Sequence, residues 1–266
     1  MLRVGIVGAG NIGSTIAAAI DEEKVAANLI AVADRNPDRA RNLAGALKHR
    51  PAILSLAELV KVADLVVEAA SQSALDEIVP ATLSRGKDLV VLSVGGLLGR
   101  EEWVALAEQH GARIYCPSGA LAGLDGVKGA RVGEIKQASI RTRKPPRGLQ
   151  GAPYLTEHGI DLSGLSEARV VFEGSAREAC RGFPANVNVA AALSLTGVGP
   201  ERTRVTIIAD PAAEHNIHEI EVVGEFGRLH AQIENVPSTN PRTGKLAAFS
   251  AIALLKELTL PLRVGT

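Results

Sequence analysis

Short apolar runs alternate with segments of helical periodicity over the first 115 residues of the chain. An apolar run at residues 3–7 is followed by a glycine turn, a helical segment at 12–22 and a second apolar run, "NLIAVADRN". The rhythm continues with helices near 37–48, 56–60, 75–85 and 101–109 and with the strands "ADLVVEAA", "DLVVLS" and "ARIYC". This alternation predicts a doubly wound α/β domain, in which helices cover both faces of a parallel sheet.

The pattern changes after Tyr115, where longer and half-exposed strands follow one another. These are "RVGEIKQASIRTRK", "EARVVFEG", "RTRVTIIAD", "NIHEIEVVGEF" and "RLHAQIENV". They predict a second α+β domain on a mostly antiparallel sheet, with helices near 176–182 and 185–195. We expect the first domain to span 1–117, the second 118–240, and a C-terminal helix within 241–266 to pack back on the first domain.

Composition restricts the partners of the chain. The 266 residues are 46% hydrophobic, and Lys plus Arg equal Asp plus Glu at 29 each, so no net charge attracts nucleic acid or an anionic membrane. The two cysteines are far apart and lack the spacing of a disulfide framework or a metal site. Without a signal-like leader or an apolar run of bilayer length, we expect a cytoplasmic protein with a small-molecule substrate.

One stretch is locally basic. Arg141, Arg143, Lys144 and Arg147 fall within seven positions, but no aromatic residue lies between them. A neutral protein with such a run is predicted to have a solvated strand end there, not a nucleic-acid site.

A glycine motif lies between the first predicted strand and helix. In "GIVGAGNIG", Gly8 permits a tight turn, Gly10 leaves bare backbone for a pyrophosphate, and Gly13 allows close helix–strand packing. The helix N-terminus favours phosphate charge, and Asp34 ends the next strand, where a carboxylate suits ribose hydroxyls. We therefore predict a Rossmann domain that binds NAD or NADP.

The contacts expected with this cofactor extend beyond the glycines. They are Gly8, Gly10, Asn11, Ile12, Gly13, Asp34 and Arg35. The Asp34 carboxylate repels a 2′-phosphate and slightly favours NAD, whereas the neighbouring Arg35 can pair with a phosphate and leaves NADP open. Such a domain with a second sheet domain is typical of dehydrogenases, whose substrate lies in the cleft between domains. The second domain should then supply a proton acceptor.

The histidines are the first candidates for that role. His49 and His110 fall at helix ends in the first domain, His158 in an irregular stretch and His230 within a strand, so none of these is favoured. In "AAEHNIHEIEVVG", a period of two places His218 on the apolar face of a strand, while His215 precedes the strand. A histidine on such a face is most often a core residue, so position alone leaves its role open.

Three further segments carry polar groups. "CPSGALAGLDG" places Ser118, Gly119 and Asp125 after the fifth strand, where open sheets bind ligands, although a glycine-rich linker is the simpler interpretation. In "GFPANVNVAAALSL", Asn186 and Asn188 either cap a helix or present an amide to the nicotinamide or its ribose. The third set, Arg242 and Lys245 in "STNPRTGKL", could receive a carboxylate or belong to an exposed turn.

Taken in order, these segments are similar to those of the L-aspartate dehydrogenase family. The matching stretches are "GIVGAGNIG", "CPSGALAGLDG", "RTRKPP", "FPANVNVAAALSL", "NIHEIEVVGEFG" and "NPRTGKLAAFSAIALL". The resemblance implies NAD(P)-dependent oxidation of L-aspartate to iminoaspartate, which feeds quinolinate and NAD biosynthesis or hydrolyses to oxaloacetate and ammonia. By motif, the family's active-site histidine falls on His218, and further cofactor contacts fall on Ala122 and Asn188.

Mechanistic expectations follow from the resemblance. His218 would take a proton from the α-amino group of the substrate or activate the water that attacks the imine. Ser118, Gly119, Arg242 and Lys245 are weaker candidates for the two substrate carboxylates. No metal is expected, and the long second-domain strands would suit a homodimer.

Other functions share this plan. A homoserine dehydrogenase, a dihydrodipicolinate reductase or a sugar dehydrogenase would keep the two domains, although sugar-oxidising relatives carry Glu-Lys-Pro where this chain has "LSVGG". A non-catalytic NAD-sensing regulator would need the cofactor site but no base. Reduction of NAD or NADP with L-aspartate or L-homoserine separates these alternatives.

Overall fold

A computed structural model describes residues 1–184, 187–236 and 244–265. Their contacts divide the chain into two compact units. The first unit contains Met1–Pro117 and Ala248–Arg263, and the second contains Ser118–Ala247 with the last few residues. No helix in the described ranges is long and apolar enough to cross a membrane.

The first unit alternates strands and helices along the chain. Its strands are β1 (Leu2–Val7), β2 (Ala27–Ala33), β3 (Ala52–Ile53), β4 (Leu65–Glu68), β5 (Asp88–Val91) and β6 (Ile114–Tyr115). Its helices are α1 (Asn11–Asp21), α2 (Pro37–Ala46), α3 (Leu56–Val62), α4 (Leu75–Leu83) and α5 (Glu101–His110). The two-residue strand β3 follows α2 and was not predicted, because it is too short to show a period.

The six strands form one parallel sheet in the order β3-β2-β1-β4-β5-β6. Alternate residues of each strand enter cores on opposite faces. In β4, Leu65 and Val67 pack with α1 and α2, whereas Val66 packs with α3, α4 and α5. This arrangement confirms the doubly wound prediction, and its chain reversal lies between β1 and β4, where such sheets bind ligands at the carboxyl ends of the strands.

The second unit is built on a five-stranded sheet. Its strands are β7 (Ile135–Lys144), β8 (Arg169–Ser175), β9 (Thr203–Ala209), β10 (Asn216–Gly224) and β11 (Gly227–Asn235). They lie in the order β11-β10-β7-β9-β8, and each neighbouring pair is antiparallel except β7 with β9. The mostly antiparallel second sheet is therefore confirmed.

Helices pack against this sheet. They are α6 (Leu124–Ala130), α7 (Pro153–Glu157), α8 (Ala176–Gly182) and α9 (Asn188–Thr196), and α10 (Lys245–Thr259) follows the last strand. The first two were not predicted: α6 begins inside the glycine-rich segment "CPSGALAGLDG", and α7 begins in a stretch for which no element was predicted. Residues 251 and 255 of α10 pack with α1 in the first unit.

Candidate functional site

The glycine turn of the first unit uses each glycine for a different steric reason. Gly8 has φ +110°, and a Cβ atom there would lie 2.4 Å from the carbonyl oxygen of Ala69. A Cβ on Gly13 would lie 2.0 Å from the carbonyl oxygen of Gly8. Gly10 differs, since a Cβ there would meet nothing within 4 Å. Gly8 and Gly13 therefore shape the turn, while Gly10 keeps open the space beside the N-terminus of α1.

That open space fits the pyrophosphate of a nicotinamide dinucleotide. Gly10 is the N-cap of α1 and has no side chain to cap the helix, so no side chain covers the backbone at the helix N-terminus. Backbone N–H groups and the helix dipole at such a terminus favour phosphate oxygens. Asn11 and Ile12, predicted as contacts, are the first two residues of this helix.

Asp34 joins the end of β2 to the glycine turn. Its Oδ2 accepts a hydrogen bond from the backbone N–H of Ala9 at 2.7 Å, and its Oδ1 accepts one from Asn36 at 2.8 Å. A carboxylate oxygen can accept more than one hydrogen bond, so room remains for ribose hydroxyls. The carboxylate thus also holds the turn in place, a role that sequence analysis did not assign to it.

A cavity of about 380 Å³ lies beside this turn. Its wall includes Gly8, Gly10 and Asp34, together with the guanidinium-bearing Arg35 and Arg39. The volume falls in the range of small-molecule and cofactor sites. Arg39 was not among the predicted contacts, because it lies on the polar surface of α2 and has no motif of its own.

A buried carboxylate supports the opposite wall of the cavity. Glu68 has no exposed surface and accepts hydrogen bonds from the backbone of Ala70, Leu92 and Ser93 and from the Ser93 hydroxyl, at 2.8–3.1 Å. Burial raises the pKa of this carboxyl, and the hydrogen bonds oppose that shift. Glu68 therefore ties the loops after β4 and β5 together next to the backbone that Gly8 contacts.

His218 lies on β10, between β11 and β7 in the second sheet, and is 4% exposed. It shares the buried face of β10 with Ile220 and Val222, as the period of two predicted. Its Nδ1 is 3.0 Å from Oγ1 of Thr142, the residue directly opposite on β7. Burial and the nearby charge of Lys144 lower the pKa of the imidazole to about 3, so the ring is neutral at pH 7.

His218 belongs to a group of polar side chains on one face of the sheet, which we name the polar face. Its members are Thr142, Lys144, Asn216, His218 and Asn235, each less than 5% exposed. Lys144 corrects the expectation that the basic run is a solvated strand end. Successive strand residues point to opposite faces, so Arg143 extends outward to an ion pair with Asp210 while Lys144 is buried.

The predicted residues near α6 lie beside the polar face. Asn235 Nδ2 donates a hydrogen bond to the carbonyl oxygen of Ala120 at 3.2 Å, which holds the segment containing Ser118, Gly119 and Ala122 against this end of the sheet. Gly119 has φ +65°, a conformation that favours glycine.

The remaining candidates are dispersed. Asn188 and Lys245 are the first residues of α9 and α10, and His215 is half-buried in the turn before β10. Asn186 and Arg242 lie outside the described residues. The other histidines have separate neighbours: His49 bonds Asp21, His158 stacks on Tyr154, His230 pairs with Glu219, and His110 ends α5. Within the described ranges, no cluster of His, Cys, Asp or Glu could hold a metal ion.

The first unit is a Rossmann domain whose glycine turn, formed by Gly8, Gly10 and Gly13, is an open cradle for a dinucleotide. The second unit is a sheet domain with a buried polar site around His218. Together these features define the class of two-domain nicotinamide-dependent oxidoreductases. The profile described as "Homoserine dehydrogenase, NAD binding domain" matches residues 8–117, and "Aspartate dehydrogenase, C-terminal" matches residues 125–258. The chain belongs to the L-aspartate dehydrogenase family.

Named relatives agree over the full length. The chain is 48% identical to an L-aspartate dehydrogenase of Methanosarcina acetivorans, with all of both chains covered, and 49% identical to one of Bradyrhizobium diazoefficiens, with 94% of the relative covered. A crystal structure of aspartate dehydrogenase from Thermotoga maritima aligns over all of both chains, with 30% identity and a TM-score of 0.75. These comparisons confirm the resemblance seen in the sequence and the use of NAD or NADP.

Proposed function

We propose that this chain oxidises L-aspartate to iminoaspartate with NAD or NADP. The observation that carries the proposal is the polar face of the second unit, where a neutral, buried imidazole is held by Thr142 in a domain that matches the aspartate dehydrogenase profile.

The first unit would hold the cofactor. The pyrophosphate would lie against Gly10 and the N-terminus of α1, and the adenosine ribose would lie near Asp34 in the adjacent cavity. A bound nicotinamide would supply the acceptor for the hydride that leaves the α-carbon of the substrate. Ala122 and Asn188 are proposed as further cofactor contacts.

His218 would handle the proton. The α-amino group of aspartate must lose a proton before its carbon can release a hydride, and a neutral imidazole can accept that proton. For Nε2 to act as the acceptor, Nδ1 must carry the ring hydrogen and donate it to Oγ1 of Thr142. The Thr142 hydroxyl can accept that hydrogen bond, and Nε2 is then the nitrogen without a hydrogen that is able to act as a base.

The substrate is tested by an absorbance assay at 340 nm. Purified protein with NAD or with NADP should reduce the cofactor on addition of L-aspartate, and L-homoserine is the comparison substrate because the first unit matches a homoserine dehydrogenase profile. Turnover of L-homoserine in preference to L-aspartate would reject the proposed substrate. Cofactor binding without turnover of either compound would favour a regulator.

The assembly and location are proposed on separate grounds. The outer edge of β11 pairs with no other described strand, and an edge strand of this length can pair with a second copy, so we propose a homodimer. Light scattering of the purified protein measures its mass. Cys116 and Cys180 are free thiols, which fits the reducing cytoplasm, and cell fractionation tests that location.

A further inference from the structure

The register of the second sheet arranges the polar face as two adjacent rows. His218 lies directly opposite Thr142, and the ladder between β10 and β7 continues through Ile217 and Arg143. Asn216 and Lys144 each lie one residue beyond that last pair of the ladder, and Asn216 is paired with Asn235 on β11. Residues two apart on a strand share a face, so Asn216 and Lys144 are the neighbours of the His218 row.

Asn216 presents an acceptor that the described residues do not satisfy. Its side chain is 2% exposed, and its Oδ1 has no hydrogen-bond partner in the described part of the chain. An unpaired buried acceptor costs about 1–3 kcal/mol, so such atoms usually meet a group that is supplied from elsewhere. The group needed is a donor, such as an amine.

Lys144 places a positive charge in the same row. It is 2% exposed, and burial lowers its pKa to about 8, so the side chain is mainly an ammonium at pH 7. A buried ammonium is stabilised by a carboxylate. One dry face of the sheet therefore combines a cation, an amide acceptor and the imidazole.

We propose that Lys144 and Asn216 form the recognition site for the substrate, with Lys144 pairing with a carboxylate and Asn216 Oδ1 accepting a hydrogen bond from the α-amino group. This inference rests on the proposed function and adds two residues to it. Asn216 would hold the amino group one row from His218, the residue that takes its proton. Lys144 was assigned to a solvated surface from sequence, and Asn216 was not singled out.

The arrangement also relieves a difficulty in the mechanism. The charge of Lys144 is one of the causes that keep the pKa of His218 low, and a low pKa makes imidazole a poor base. A substrate carboxylate beside Lys144 would offset that charge. The imidazole would then become a better proton acceptor only when the anionic substrate is in place.

The test uses two substitutions with different expected effects. Lys144→Met removes the charge while keeping most of the side-chain volume, and it should lower kcat/KM for L-aspartate on the order of 10²–10³-fold, mainly through KM. Asn216→Leu should raise KM roughly tenfold. Lys136→Met, at an exposed position of the same strand, is the matched control and should leave both constants unchanged.

Succinate separates the two roles, because it has both carboxylates of aspartate but no amino group. In calorimetric titrations with NADH present, Lys144→Met should abolish succinate binding, whereas Asn216→Leu should retain it. Cofactor affinity and circular dichroism should match the wild type in both variants. A fall in kcat with unchanged KM, equal effects of Lys144→Met and Lys136→Met, or unchanged succinate binding to Lys144→Met would overturn the inference.

The outcomes distinguish this inference from the proposed function. A wild-type enzyme that turns over L-aspartate, combined with a Lys144→Met variant of normal KM, would reject only the recognition site. A wild-type protein that does not oxidise L-aspartate would reject the proposed function, and succinate binding to the wild type and its loss in Lys144→Met would still report on the carboxylate site.

Discussion

The glycine cradle of the first unit and the polar face of the second unit are built in different ways. In the cradle, Gly8, Gly10 and Gly13 fall within six positions, and the main groups offered to a ligand are backbone atoms at a helix terminus. In the polar face, Thr142 and His218 are separated by 76 residues and meet only through the register of two antiparallel strands.

Residues of the cradle therefore act through their shape, whereas residues of the polar face act through their chemical groups. The cradle is formed by glycines, which have no side chains, so an added side chain there should act through folding or cofactor binding. Polar side chains in a dry environment make the face, so a change there should act on the reaction while the fold persists.

The largest effect is expected from His218→Ala. Loss of a general base lowers turnover on the order of 10²–10⁴-fold, and cofactor affinity should stay near the wild-type value because the cradle is untouched. Steady-state rates with L-aspartate and fluorescence titration with NADH measure the two quantities. His230→Ala is the control, since that ring is exposed and pairs with Glu219. Turnover retained by His218→Ala would remove the imidazole from the mechanism.

Two alanine substitutions within the cradle should affect different properties, one the stability of the protein and the other its affinity for NADH. Gly8→Ala forces a Cβ atom onto the carbonyl oxygen of Ala69 at a positive φ, so it should lower the free energy of unfolding by at least about 1–3 kcal/mol. Gly10→Ala meets no protein atom, so it should keep the wild-type stability but weaken NADH binding roughly tenfold or more, because the new methyl group fills the phosphate space.

Urea unfolding and NADH titration measure this pair. Equal destabilisation by both substitutions would contradict the distinction between a glycine that shapes the turn and one that admits the ligand. Normal NADH binding by Gly10→Ala would place the pyrophosphate elsewhere.

Glu68→Gln tests whether a side chain is also structural in the first unit. Four donors surround the Glu68 carboxylate. An amide has one acceptor oxygen and one donor nitrogen, so some of these donors would face an N–H group and lose their hydrogen bonds. We expect a loss of about 1–3 kcal/mol in the free energy of unfolding. Glu77→Gln, at an exposed position on the same cavity, should change stability little. Equal stability of the two variants would mean that the loops after β4 and β5 do not depend on the carboxylate.

The same division explains how far the sequence predicts the molecule. The cradle and the strand–helix alternation are local patterns, so the glycine turn, Asp34 and the α/β class follow from spacing. Period two also identifies the face of β10 that carries His218. The roles of Thr142 and Asn216 follow only from the pairing of β10 with β7 and with β11, which no local pattern specifies. Lys144 was wrongly assigned to a solvated strand end because the prediction followed its charge. The alternation of buried and exposed positions along β7 instead places it on the buried face.

The smallest effect is a pH dependence that belongs to the polar face. His218 has a pKa of about 3 in the folded protein, whereas an ordinary histidine titrates near 6.5, so the unfolded chain gains a proton first as the pH falls. Its contribution to stability is present above pH 6.5 and is lost progressively as the pH falls towards 3. Between pH 7 and pH 5, wild-type protein should therefore lose roughly 1–2 kcal/mol more unfolding free energy than His218→Ala. Urea titrations at both pH values measure the difference, and His230→Ala should follow the wild type. A parallel decline of wild type and His218→Ala would show that the folded sheet does not lower the pKa of the imidazole below that of an ordinary histidine.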